Sequence, residues 1–116
     1  MRYHCDVAAQ EQGPRKVSQT LLMVVSLLLT NPTKADWYSL GVVRETGLGS
    51  GTVTQILFRM EQWGWIEARW EDTAEARAEG RPPRRFYRLT GMGEQAANNL
   101  IDLNQQRLRR WLPRRV

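Results

Sequence analysis

From Val17 to Thr30 apolar residues fall on nearly every face of a helical projection, the pattern of a helix enclosed on all sides, and Asn31-Pro32 stops it. So short a chain can hardly enclose such a helix alone, which predicts a second subunit against Leu21, Val25 and Leu28. The next helix is predicted from Trp37 to about Glu45, with Asp36 as its cap, and Gly47-Leu48-Gly49 breaks it. Ser50 is placed to cap a further helix in which Val53, Ile56, Leu57 and Met60 recur at the i, i+3, i+4, i+7 spacing of one buried face, and Gly64 ends it. The period then shortens to two. Ile66, Ala68 and Trp70 alternate with Glu67 and Arg69, and Tyr87 and Leu89 alternate with Phe86 and Arg88, as strands with one covered face. Between them Glu71 to Arg84 is polar, contains Gly80, Pro82 and Pro83, and is too long for a tight hairpin, so an extended hairpin loop is expected. Thr90 can cap a last helix whose apolar side comprises Ala97, Leu100, Ile101, Leu108, Trp111 and Leu112.

Two short helices about a glycine-bearing turn, followed by two strands flanking a basic loop, make the order of a helix-turn-helix with a wing. The expected fold class is therefore mainly α with a small β-hairpin, a winged helix-turn-helix plus a C-terminal dimerisation helix. Residues 1–16 read as a flexible N-terminal leader, 17–90 as the winged helix-turn-helix, and 91–116 as the dimerisation helix with a basic tail. Leu100, Leu108 and Trp111 join Leu21, Val25 and Leu28 as expected dimer contacts.

Composition narrows the partners. Seventeen Lys and Arg against 12 Asp and Glu give a net charge of +5, which favours a polyanion, although charge alone also serves solubility. Cys5 is the sole cysteine, so no intramolecular disulfide is available and a reducing compartment is expected. His4 and Cys5 make at best two ligands, short of a structural zinc site, and no metal or cofactor is expected. The run from Leu21 to Leu29 is about half a membrane span, and no signal-peptide pattern precedes it, so the expected place is the cytoplasm without membrane contact. With no phosphate-cradling loop and no nucleophile beside His4, an enzyme is not expected.

The chemistry concentrates on two elements. With Val53, Ile56, Leu57 and Met60 turned inward, Gly51, Thr52, Gln55, Arg59 and Gln62 face outward. Small residues at the start of that helix permit close approach to double-stranded DNA, Gln55 suits adenine, and Arg59 suits guanine or phosphate. Gln and Arg also populate any solvated helix face. On and around the loop, Arg77, Arg81, Arg84 and Arg85 gather where guanidinium groups reach phosphates or a narrow minor groove, which solubility alone explains poorly.

Three stretches carry a resemblance: Thr46-Gly47-Leu48-Gly49-Ser50-Gly51-Thr52-Val53, then Arg59-Met60-Glu61-Gln62-Trp63-Gly64-Trp65-Ile66-Glu67, then Gly80-Arg81-Pro82-Pro83-Arg84-Arg85-Phe86-Tyr87-Arg88-Leu89-Thr90. In order and position they resemble the signatures of the PadR family of bacterial transcriptional regulators, and the resemblance covers about Val17 to Ala97. It implies a homodimer, a C-terminal helix of the shorter subgroup, and repression by covering a promoter palindrome until a small molecule or stress signal weakens binding. Its DNA-binding residues would be Ser50, Gly51, Thr52, Thr54, Gln55 and Arg59 on the helix, with Arg77, Arg81, Arg84 and Arg85 on the wing. Thr54 stands where the family usually has Tyr, and Phe58 where a basic residue is common; Phe58 would pack beneath the wing or touch a thymine methyl.

Tryptophans at 37, 63, 65, 70 and 111 suit packing first, with Trp63 and Trp70 expected to be covered and Trp111 to cross a subunit boundary; in the resembling family such aromatics can form an effector pocket. The arginine-rich tail from Arg107 to Arg115 suits either DNA support or a solvated helix end. The rival to DNA binding is a winged helix that binds only proteins, which would not need the basic recognition face and wing.

Overall fold

The computed structural model describes residues 13–105 apart from 33 and 35. Helix α1 (Gln19–Leu29) starts where the Ser18 side chain accepts the Leu21 N–H at 3.1 Å. A two-residue strand β1 (Trp37–Tyr38) leads into α2 (Ser39–Thr46) and α3 (Ser50–Gln62). Then come β2 (Ile66–Trp70), a short α4 (Thr73–Ala78), β3 (Arg85–Leu89) and α5 (Gly91–Leu103). The sheet is antiparallel in the order β1-β3-β2, with Trp37 opposite Tyr87, Ile66 opposite Leu89, and Trp70 opposite Arg85.

The core is one cluster. From α1, Leu21, Val24, Val25 and Leu28 meet Val42 of α2, Val53, Leu57 and Met60 of α3, Ile66 and Leu89 of the sheet, and Ala97 of α5. Burying a leucine or methionine of this kind contributes about 1.5–3 kcal/mol, so the inward stripe of α3 is a principal tie of that helix to the core. This corrects the expectation for α1. Leu21, Val25 and Leu28 are 5%, 0% and 1% exposed within the single chain, because α2, α3 and α5 enclose the helix. Their surface is used by their own subunit. Leu100 is half-buried against the same core, whereas Leu108 and Trp111 lie outside the described residues, as do His4 and Cys5.

Other expected starts shift as well. Asp36 does not cap a helix at Trp37, because Trp37 and Tyr38 are extended and paired with β3; the helix begins at Ser39 with Tyr38 as its cap residue. Ser50 is already helical, and Gly49 takes the extended cap position without a side-chain bond. The end of α3 follows expectation. Trp65 N–H bonds the Met60 carbonyl at 2.9 Å and Gly64 N–H bonds that of Glu61 at 3.0 Å, the paired bonds of a Schellman turn.

The first turn of α5 meets this turn at close quarters. Thr90 Oγ1 donates to the Gly64 carbonyl at 2.7 Å and accepts the Gly93 N–H at 2.9 Å, while Thr90 N–H bonds the Trp65 carbonyl at 2.9 Å. A Cβ on residue 93 would lie 1.8 Å from the Trp65 carbonyl oxygen, so only glycine allows α5 to sit here. In an ordinary helix Gly→Ala is stabilising, whereas Gly93→Ala is expected to destabilise by about 1–3 kcal/mol or more through overpacking. Thermal unfolding would show it as a midpoint lowered by at least about 4 °C; an unchanged or raised midpoint would show that the two backbones are not in contact.

Candidate nucleic-acid interface

α3 divides cleanly. Val53, Leu57 and Met60 are fully buried and Ile56 nearly so, while Ser50, Gly51, Thr52, Thr54, Gln55, Phe58, Arg59 and Gln62 are exposed. Among the described residues no ion pair holds Arg59. A Cβ built on Gly51 would meet nothing within 4 Å among the described residues. Phe58 is 58% exposed, so it does not pack beneath the wing; with Thr54, Glu61, Gln62, Arg85 and Tyr87 it borders a shallow concavity between α3 and β3.

The wing is not the extended loop expected. Asp72 accepts the Ala74 N–H at 2.7 Å and starts α4, an alanine-rich turn and a half. Gly80, at φ +70°, ends it, its N–H on the Arg77 carbonyl and the Arg81 N–H on that of Ala76. The reversal delivers Arg81 to Glu71. Arg81 Nη1 and Nη2 donate to the two carboxylate oxygens at 2.6 and 2.8 Å, and Arg84 N–H adds a third bond at 3.1 Å. Glu71 is 8% exposed, a charge that is tolerated only because it is paired and hydrogen-bonded on both oxygens.

The arginine hydrogen bonds, opposed by burial and helped by the Arg84 backbone, hold the Glu71 carboxyl down at about 2 from an ordinary 4.5. The same contact pushes the Arg81 guanidinium up. Arg81 also bonds Glu79 at 3.0 Å, so it is the internal clamp of the wing rather than an open cation.

The other wing arginines differ in freedom. Arg84 lies over the Tyr38 ring at 4.1 Å. Arg85 bonds Glu61 of α3 at 2.7 Å and sits 5.6 Å from the Trp70 ring, tying wing to helix. Arg77, on α4, is exposed and without an ion-pair partner among the described residues. Trp70 is 64% exposed, which corrects the expectation that it is covered: burial along β2 fades as the strand runs out beyond the core into the wing. Trp63 is half-buried, its ring 5.0 Å from that of Trp65.

Sequence reasoning missed the clamp because its partners lie ten residues apart across an unforeseen helix. The helix itself had a local signal, Asp72 before Thr73-Ala-Glu-Ala-Arg-Ala78 and Gly80 after it.

No family model matches the sequence, and no curated protein matches it. Among solved structures the chain is similar to the PcaV transcriptional regulator of Streptomyces coelicolor, solved with its natural ligand. The TM-score is 0.61 at 16% identity, over 90% of this chain and 66% of that one. A PadR family transcriptional regulator from Eggerthella lenta matches at TM-score 0.58 and 17% identity, over 92% of this chain and 85% of its own. A MarR mutant from E. coli complexed with operator DNA matches at 0.58 and 16%, over 90% and 68%. The chain has a PadR-like winged-helix fold. In the winged helix, α2 and α3 form the helix-turn-helix and β2-α4-β3 the wing.

Glu71 lends the winged helix a defined pH response. Because its folded pKa lies below the unfolded one, the clamp's contribution is complete above pH 4.5 and is lost as pH falls from there to about 2. A carboxyl-detected NMR titration is expected to place the Glu71 midpoint near 2, and Arg81→Ala to move it up toward the ordinary value. A wild-type midpoint near 4.5 would show that the clamp does not form.

Proposed function

We propose that this chain is a DNA-binding transcriptional regulator that inserts α3 into the major groove and lays the wing alongside. The observation that carries this reading is the uncovered face of α3. Gly51, Thr52, Gln55 and Arg59 are exposed on a helix whose other face is fully packed, and a Cβ on Gly51 would meet nothing within 4 Å among the described residues. A glycine in a helix costs about 0.5–1 kcal/mol relative to alanine, and nothing among the described residues requires it. A close approach by another molecule does require it, and the backbone of a duplex is such an approach.

The roles follow from freedom and reach. Gln55 reads a base edge, Arg59 reads guanine or holds a phosphate, and Ser50, Thr52 and Thr54 position the helix on the backbone. Arg77 and Arg84 supply phosphate contacts from the wing, while Arg81 and Arg85 fix its shape and angle through Glu71 and Glu61. The neighbours named above are regulators, one of them complexed with operator DNA and one with its natural ligand, and this supports the same class of partner for this chain.

As in the resembling family, the working unit is a homodimer. It covers a two-fold symmetric promoter site and represses until an effector weakens binding; its half-sites are about one helical turn, roughly 34 Å, or a multiple apart. With α1 enclosed, the dimer forms through residues 91–116, where Leu103 is 83% exposed, and residues 17–90 form the DNA-binding unit. The protein acts in the cytoplasm; no helix among the described residues is long and apolar enough to cross a membrane.

Gly51→Ala separates folding from function. It is expected to stabilise the fold by about 0.5–1 kcal/mol in denaturant melts while weakening duplex binding in mobility shifts against the chain's own upstream DNA. Unchanged binding would remove the argument from close approach. In the same assay Gln55→Ala is expected to cost about 1–3 kcal/mol of discrimination at one base pair, whereas Arg84→Ala weakens all sequences alike. Identical behaviour of the two would refute the division of roles.

A further inference from the structure

The face of the sheet turned away from α3 carries a row of side chains that the reading above leaves unused except at one end. Tyr38 and Phe86 are opposite each other across β1 and β3, with ring centroids 6.0 Å apart and planes at 71°. Arg69 is opposite Phe86 across β2 and β3, and its guanidinium lies 4.9 Å over that ring. Arg84 lies 4.1 Å over Tyr38 at the other end. The row Arg84-Tyr38-Phe86-Arg69 thus crosses all three strands.

We infer that this row is a second phosphate-binding strip, which holds duplex DNA flanking the segment read by α3. The inference rests on the DNA-binding reading and extends it to the opposite face of the wing. Neither Arg69 nor Arg84 has a carboxylate partner for its guanidinium among the described residues, although 12 acids are present in the chain. A guanidinium stacked on a ring is held in orientation with its N–H edge open, the arrangement that meets phosphate oxygens two at a time.

Arg88 lies on the same face, but its charge is met by Glu67 at 2.7 Å. The strip is therefore defined by two open guanidiniums and bounded by a neutralised third.

The rings favour a phosphate backbone over other partners. Guanidiniums cover a face of each ring, and both rings are half-buried, so little apolar area is left to anchor a peptide or stack unpaired bases. Position points the same way. α3 lies against the other side of the sheet, joined to it by Glu61 and Arg85. With α3 in a groove, the strip looks outward along the duplex, displaced by the roughly 10 Å thickness of a packed layer, about three base pairs.

The test uses the tightest duplex recovered by selection from genomic fragments, either trimmed to the base pairs whose substitution weakens binding or extended by about 10 base pairs, one helical turn, on each side. Arg69→Gln is expected to weaken binding to the extended duplex roughly threefold or more and to lower its salt slope by about one, leaving the trimmed duplex unaffected. Arg69→Lys, which keeps the charge but not the flat fork, is expected to fall between, and Arg88→Gln to change neither duplex. Thermal melts of each variant confirm folding.

An equal effect of Arg69→Gln on both duplexes, or on neither, would overturn the strip while leaving the DNA-binding reading intact. Arg69-dependent binding of a glutamate-rich peptide without any effect on extended DNA would overturn it in favour of a protein partner. Failure of wild-type protein to bind either duplex would overturn both.

Discussion

Four elements of this protein meet at the backbone around Trp65. α3 ends there, β2 begins, β3 ends at Leu89 beside it, and α5 starts by placing Gly93 against the Trp65 carbonyl. Thr90 closes the joint with its N–H on Trp65 and its hydroxyl between Gly64 and Gly93. Buried backbone groups must find partners, and here those of the strand entry and the helix start satisfy one another. The joint therefore fixes how the sheet leaves the helical core, and with it the angle between α3 and the wing.

Two kinds of ionic contact then shape the wing, and their energetics differ. Glu71 is buried, so its charge must be matched where it lies, and the paired donors of Arg81 with the Arg84 amide do so. That contact ties the end of β2 to the turn that follows α4. Glu61 and Arg85 are partly exposed, and such pairs contribute about 0–1 kcal/mol, too little to matter for stability. They join helix to wing across 24 residues of sequence. The wing arginines consequently divide into those that build the surface and those left open to act from it.

Much of this was legible beforehand, for reasons that can be named. The inward stripe of α3 and the alternation in β2 and β3 follow from periodicities the core enforces, and both lie where the pattern puts them. The failures share a cause, which is that distant partners override local preference. Trp37 and Tyr38 pair with β3 rather than join a helix. The all-round apolar pattern of α1 suggests a helix that so short a chain can hardly enclose, yet α2, α3 and α5 enclose Leu21, Val25 and Leu28. In the site, the outward positions of α3 were readable from one helix turn to the next. Arg81 as a clamp was not, because its partner Glu71 is fixed by the closing of α4 and not by any spacing.

On the proposed function, the open face of α3 and the exposed cations of the wing meet double-stranded DNA while α1 stays enclosed. Amide NMR during titration with a duplex from the chain's own upstream region tests it most directly. Shifts are expected at Gly51, Thr52, Gln55, Arg59 and Arg77, weakening as salt is raised, with Val24, Val25 and Leu28 of α1 unmoved. Shifts confined to α5 or to the core, or insensitive to salt, would contradict the account.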